Sequence, residues 1–501
     1  MIPATGETSR PPPKPALEDG VKIEVAVNGF SRGTSLSQTQ EGIEELQHSQ
    51  TEQDVFSEEG GSNFRTLSWP YASVIFAKMT IGVGVLSIPS AMHTLGGVVG
   101  CLFIVFWGLL NTYGAYLFGQ YKLTHRSIHS CADGASILAR DWSGGRQKWV
   151  AATRNYADFT FIFTWIVCGG VTTLAFTIAL NAVSSHAMCT VAFGAIAYFI
   201  IASAASIPKL KDLSWIAWVG FASIVAAILT VVIAVTQRER PAAAPQTGPY
   251  DLGFNALPPA GTTFAAAWSA ALAIFSSSAN TPAFLPVISE FKKPQHYFRS
   301  VYVSMGFINT AYFSLGLTMY AYCGQWIASP ALGSGGPTIM IIAYALAIPG
   351  LVAGAVITIH IAAKTLFVRI LRNTVHLEAN TKTHWFAWFA CTYGLGLIAW
   401  LLAEAVPFFN SLVALIGALG FAPLGVCLPA LFWFHMHPGY RRGTWKQKTA
   451  WVLHVGMFVV GFFTLVVGTY ETRLSAVISE IIDQYKSKQV GTAFSCADNS
   501  I

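Results

Sequence analysis

Two stretches of this chain combine residue types that do not suit a helix facing lipid. One runs Ala77-Lys78-Met79-Thr80-Ile81-Gly82-Val83-Gly84-Val85-Leu86-Ser87-Ile88-Pro89. The other runs Phe275-Ser276-Ser277-Ser278-Ala279-Asn280-Thr281-Pro282-Ala283-Phe284. Two glycines one residue apart with a following proline, or three serines with an Asn and a Pro, should unwind a helix locally. Unwound backbone leaves N–H and C=O groups without helical partners, and at membrane depth this is tolerated only where they line a cavity. The N–H groups of Gly82, Val83 and Gly84, with the hydroxyls of Thr80 and Ser87, suit an anionic group. Carbonyls freed around Ser276, Ser277 and Ser278, with the side chain of Asn280, suit an ammonium. The first pattern can also be read as kinks and the second as a packing face; their joint occurrence favours a site.

Ionisable groups inside apolar spans are functional hypotheses by default. Lys78 stands four residues before Gly82, and Lys364 stands four after His360 on one helical face. A desolvated lysine can titrate near neutrality, so Lys78, His360 and Lys364 are candidates for handling a proton. The competing reading for Lys364 is that it snorkels to the aqueous surface. Phe161, Trp165, Phe275 and Phe284 are aromatic groups near the breaks that could sort a substrate by its side chain, although such stripes more often pack.

These residues need an apolar frame, and the composition supplies one. Of 501 residues, 53% are hydrophobic and 11% charged, against about 25% charged in a soluble domain. That excludes a soluble enzyme, a disordered chain and a secreted disulfide scaffold. Residues 1–68 hold five Lys/Arg against eleven Asp/Glu, with a proline cluster at Pro11–Pro13 and no apolar run; they read as a disordered cytosolic tail. No cleavable leader is evident. Eleven apolar stretches follow, near 69–93, 96–121, 155–183, 187–207, 213–236, 263–289, 298–323, 337–370, 384–404, 407–435 and 449–471.

Lysine and arginine placement orients them. With the N-tail in the cytosol, the inner loops hold eighteen Lys/Arg and the outer loops only Arg238 and Arg240. The net +6 is therefore no nucleic-acid signal. Residues 130–142 should form a short helix on the inner surface. Leu474, Val477, Ile478, Ile481, Ile482 and Tyr485 recur at helical spacing, so the 472–501 tail carries either an amphipathic helix or an extension of the last span. Of the eight cysteines, Cys189 and Cys323 both fall near outer ends, so one disulfide between them is allowed.

Each break lies at a similar depth, in spans one and six, with five spans per unit. An odd number of spans inverts the second unit relative to the first. Residues 69–237 and 263–436 then form inverted repeats with an added helix at 449–471 and a midplane site at two discontinuous helices, as in secondary transporters.

The run Ile81 to Pro89 resembles the first-helix motif of the amino acid/auxin permease family, part of the amino acid-polyamine-organocation superfamily. So do His360-Ile361-Ala362-Ala363-Lys364 with Phe367 to Ile370, and Pro407-Phe408-Phe409-Asn410-Ser411-Leu412 with Gly417 to Leu419 and Pro423-Leu424, the last being like fungal members. The resemblance covers roughly residues 64–471 and is closest to fungal neutral amino acid permeases. It implies an all-α integral membrane protein of about eleven helices, a LeuT-like five-plus-five bundle with helices one and six broken, and proton-driven amino acid transport. Two lysines without a sodium-site carboxylate favour protons over sodium, and the lack of a charged pocket residue favours neutral, bulky or aromatic side chains.

No enzyme, cofactor, metal or nucleic acid is expected. The expected partners are a small amino acid, protons and the lipid bilayer, and the expected location is the plasma membrane. Two other readings stand beside this one. The first is a vacuolar exchanger or exporter of the same fold. The second is an amino acid sensor with little flux.

Overall fold

The first span opens and breaks for local reasons. Pro70 stands in the first turn of α1 (Trp69–Thr80), where a missing N–H does no harm. Gly82, at φ −113° and ψ −154°, takes the chain out of helical space. A 3-10 segment (Val83–Ser87) follows, α2 (Ile88–Leu95) completes the span, and Val83–Leu95 as a whole is bent by 49° from α1. The computed structural model describes residues 67–208, 210–372, 374–377, 381–406, 409–471 and 494–499. All of these fall in the unit Gly61–Ile501.

α3 (Gly97–Thr124) returns across the apolar layer and leads to α4 (Cys131–Trp142), the short helix expected at 130–142. Its start is a capping box. The Asp133 N–H donates to Ser130 Oγ at 3.1 Å, and the Ser130 N–H donates to Asp133 Oδ2 at 3.0 Å. Arg154 pairs with Asp133 at 2.8 Å and fixes α4 against α5 (Gln147–Ser184). That helix starts eight residues before the expected span, because the basic loop residues continue it. α6 (Thr190–Ala205) and α7 (Leu210–Thr236) end the first half.

The second half repeats the pattern. In α8 (Phe264–Ser278), Thr263 caps the start by accepting from the Ala266 N–H. The helix ends at the serine triplet. A 3-10 turn at Thr281–Ala283 and the short α9 (Phe284–Ile288) follow. α10 (Tyr297–Cys323), α11 (Pro337–Leu371) and α12 (Lys382–Ala405) are continuous. Span ten is interrupted: α13 (Phe409–Leu415) widens into π-type turns (Ile416–Cys427) before α14 (Leu428–Met436). Three glycines and Pro423 in that segment explain the wide winding. α15 (Trp445–Glu471) is last.

Among the described residues, eight helical segments are long and apolar enough to cross a bilayer, and nine with the bent α1–α2 pair. α6 adds a shorter apolar helix, and α10 is long but diluted by Tyr and Ser, which together give the eleven expected spans. Phe76, Trp107, Tyr121 and Tyr344 are fully buried, while Leu102, Leu109, Phe386 and Leu453 are exposed. With lipid as the solvent, that exterior carries no penalty.

The cysteine pairing differs from the one allowed above. Cys189 bonds Cys496, and Cys323 stays a buried thiol. Thr190 Oγ1 donates to the Ala497 carbonyl at 2.6 Å, and Asn181 Nδ2 donates to Asn499 Oδ1 at 2.7 Å. Sequence spacing could not reveal this, because the partner lies 307 residues away. The helical pattern at 474–485 lies outside the described residues.

Candidate functional site: a cavity between two broken helices

The ends of α1 and α8 meet. Ser277 Oγ donates to the Gly84 carbonyl at 2.7 Å, across the two breaks. Ser276 Oγ donates to the Val413 carbonyl at 2.7 Å and ties α8 to α13. Beside these contacts lies a cavity of about 110 Å³. Its polar wall comprises Thr80, Gly82, Gly84, Ser276, Ser277 and Asn280. Its apolar wall includes Trp165 and Val171 of α5, Phe221 and Ile224 of α7, Leu351 and Ile357 of α11, and Phe421 of the π segment.

The backbone groups are not all available. The Gly82 N–H donates to the Thr80 carbonyl at 2.9 Å, so Val83 and Gly84, at the start of the 3-10 segment, are the positions whose N–H groups lack a preceding helical turn. Thr80 Oγ1 is buried without a hydrogen-bond partner. The serine hydroxyls serve as inter-helix ties as well as lining, since each donates to a backbone carbonyl.

Lys78 lines the cavity, and among the described lining residues it is the one Asp, Glu, Lys, Arg or His. No described carboxylate lies within ion-pair distance of it. The structure separates it from the other two ionisable candidates. His360 is fully buried, but between helices: its Nδ1 lies 3.1 Å from the Ala205 carbonyl and its ring meets Trp388 edge-on at 5.4 Å. Lys364 is exposed and lies outside the cavity lining.

Several expected site residues sit outside the cavity. Ser87 Oγ donates to the Gly84 carbonyl at 2.7 Å and braces the 3-10 turn. Ser278 Oγ accepts from Asn111 Nδ2 of α3 at 2.8 Å, on the other side of α8. Phe275 is fully buried against Trp107, with ring centroids 4.6 Å apart. Phe284 stacks on Phe76 at 4.2 Å. Phe161 is absent from the lining, and its ring centroid lies 5.9 Å from that of Trp165. For Ser278 and Phe275, helical periodicity turns a neighbour of a lining residue away from the space it lines.

Other lining groups escaped the sequence reading. Cys168 and Thr172 lie on the same face of α5 as Trp165, at i+3 and i+7, a spacing that would have found them. Gly220, Gly350 and Gly354 bring α7 and α11 together at the cavity. A Cβ on Gly350 would stand 2.8 Å from the Gly220 carbonyl oxygen. At this seam the Gly350 N–H donates to Ser223 Oγ at 2.9 Å, and that hydroxyl donates to the Leu346 carbonyl at 2.6 Å. A side chain of α7 is thereby inserted into the ladder of α11, next to Pro349. The Pro349-Gly350 pair in mid-span was the available signal.

Comparison with known proteins agrees with this arrangement. The model of the family of transmembrane amino acid transporter proteins matches residues 65–474. A transmembrane transporter of Fusarium pseudograminearum is 39% identical over 448 residues, covering 89% of this chain and 90% of the relative. The N amino acid transport system protein of Neurospora crassa is 29% identical over 444 residues, covering 88% and 90%. Among solved structures, Mhp1, a nucleobase-cation-symport-1 family transporter in a closed conformation with bromovinylhydantoin bound, superposes with a TM-score of 0.50 at 11% identity, covering 87% of this chain and 97% of that one. At that identity the likeness concerns the fold alone, which is LeuT-like. The chain belongs to the transmembrane amino acid transporter family: it is a multi-pass membrane transporter and not an enzyme.

Proposed function

We propose that this transporter carries neutral amino acids, with bulky aliphatic or aromatic side chains preferred, together with protons, by alternating access across the plasma membrane. The observation that supports it best is the mixed lining of the cavity. Backbone and small polar groups of the two breaks share it with Trp165, Phe221, Ile224, Leu351 and Phe421. The N–H groups of Val83 and Gly84 receive the substrate carboxylate, and the carbonyls near Ser276–Ser278 with Asn280 receive its ammonium. The apolar wall takes the side chain. Without a lining carboxylate, a cationic side chain has no counter-charge there.

Lys78 is the proton-handling group in this reading, because it is an unpaired ammonium facing the substrate space. His360 and Lys364 are set aside from that role by their positions. The N-terminus is cytosolic and the C-terminus lies on the other side, in keeping with the basic loops and with a Cys189–Cys496 disulfide, a bond that suits a non-cytosolic compartment. The N amino acid transport system protein at 29% identity is in line with an amino acid substrate.

The test is uptake of one labelled neutral amino acid in a transport-deficient host at two pH values, with and without sodium. Uptake that rises at acidic external pH and ignores sodium is expected. Sodium dependence without pH dependence removes the proton assignment, and saturable binding without flux converts the transporter reading into a sensor.

A further inference from the structure

Tyr312 lies in the middle of α10, an unbroken helix that packs against α1, α2 and α3. Its side chain is buried, with 2% of the residue exposed. The hydroxyl lies 3.2 Å from the carbonyl oxygen of Thr80 and 3.1 Å from that of Ser277, and is placed to donate to either. Thr80 is the last residue of α1, and Ser277 is the next to last of α8. Each carbonyl stands where its helix stops, so the residue four positions later does not supply a regular helical N–H. Both residues also line the cavity.

A phenol has one proton, so it donates to one carbonyl at a time while remaining at hydrogen-bonding distance from both. The ring cannot drift, because it is fixed in a continuous helix. The ends of two discontinuous helices are therefore referenced to one atom of a third helix. The direct Ser277 Oγ to Gly84 contact closes the arrangement on the cavity side.

From this geometry we propose that Tyr312 is a positioning residue for substrate binding. Its hydroxyl sets the spacing of the Thr80 and Ser277 backbones, and so presets the polar wall before substrate arrives. A preset wall needs less ordering on binding, and its loss should show as weaker binding. Tyr312 itself lies behind the lining and touches no substrate. The inference rests on the proposed amino acid site.

The experiment compares Tyr312→Phe with wild type in uptake of a labelled neutral amino acid over a full concentration range. Protein abundance and the melting temperature of the purified, substrate-free transporter are measured in parallel. Phenylalanine keeps the ring and its packing. The expected result is a KM raised about tenfold, the equivalent of one hydrogen bond, with Vmax per molecule within twofold of wild type and a substrate-free melting temperature lowered by no more than about 3 °C. If Tyr312→Phe folds poorly, equilibrium binding of the labelled amino acid to its purified folded fraction replaces the uptake curve. A KM or Kd equal to that of wild type, or a loss confined to abundance and Vmax, overturns the positioning role. If wild type itself takes up and binds no amino acid, the substrate reading falls and this inference falls with it.

Discussion

A Cβ added to Gly84 would stand 3.0 Å from the Cα of Ser277, while the Ser277 hydroxyl donates to the Gly84 carbonyl at 2.7 Å. The two breaks thus meet backbone to backbone, and the contact needs both an absent side chain on one strand and a hydroxyl on the other. Gly84→Ala forces backbone apart rather than a flexible side chain, at a cost of about 1–3 kcal/mol. Its uptake should fall at least tenfold with near-normal abundance. Ser277→Ala loses one hydrogen bond, about 1 kcal/mol, and should keep a measurable fraction of uptake. Equal uptake by Gly84→Ala and wild type would show that the breaks do not need this contact.

The three ionisable candidates make different predictions because they occupy different places. Lys78→Met should flatten the dependence of uptake on external pH while leaving the protein in the membrane. Lys364→Ala should leave that dependence intact, since Lys364 is exposed. A pH profile that survives Lys78→Met and vanishes in Lys364→Ala would reverse the assignment.

Cys168 lines the cavity, whereas Cys101 sits on α3 and is absent from the lining. A small, membrane-impermeant thiol reagent should inhibit wild-type uptake and spare Cys168→Ser. Saturating substrate should slow the modification severalfold. Inhibition unchanged in Cys168→Ser would place the reactive thiol elsewhere.

Selectivity should follow the lining rather than the aromatic content of the spans. Trp165→Ala should shift preference among neutral amino acids toward larger side chains. Phe275→Ala removes a buried ring packed on Trp107 and should cost stability, about 3–5 kcal/mol for a buried aromatic, without changing the order of preference. Competition uptake with a panel of neutral amino acids, alongside thermal melting, separates the two outcomes.

Ser223→Ala leaves the Gly350 N–H and the Leu346 carbonyl without the inserted hydroxyl. The helix can then close its own ladder or admit water, so the expected loss is small, about 1 kcal/mol. Gly350→Ala is different, because its Cβ meets the Gly220 carbonyl at 2.8 Å. A lower melting temperature for Gly350→Ala than for Ser223→Ala would match this seam, and the opposite order would contradict it.

The frame was legible because it depends on local signals. Gly82 and Gly84, and the serine triplet with Pro282, stand where the two helices break. The short helix expected at 130–142 is present as α4, and its Ser130–Asp133 capping box is itself a local signal. The site was legible only along the chain. Ser276, Ser277 and Ser278 look alike in sequence, yet 100° of rotation per residue sends them to α13, to Gly84 and to Asn111 respectively. Tyr312 carried no signal at all, because its meaning lies in two carbonyls more than thirty residues away in each case. The depth of Lys364 was not legible, because span length cannot say where along a 35-residue helix the lipid ends.

The bond between Cys189 and Cys496 also acts as a parity check on the path of the chain. Two thiols can join only on one side of a bilayer, so the chain between them must cross an even number of times. Among the described residues, the helices from α6 to α15, with α8–α9 and α13–α14 each taken as one span, make eight crossings. A revised count that added or removed a single crossing there would separate the two sulfurs by the thickness of the membrane. The covalent ring can therefore close only after the eighth crossing is in place, and its presence in a purified sample would certify that the last helix was inserted in the intended direction.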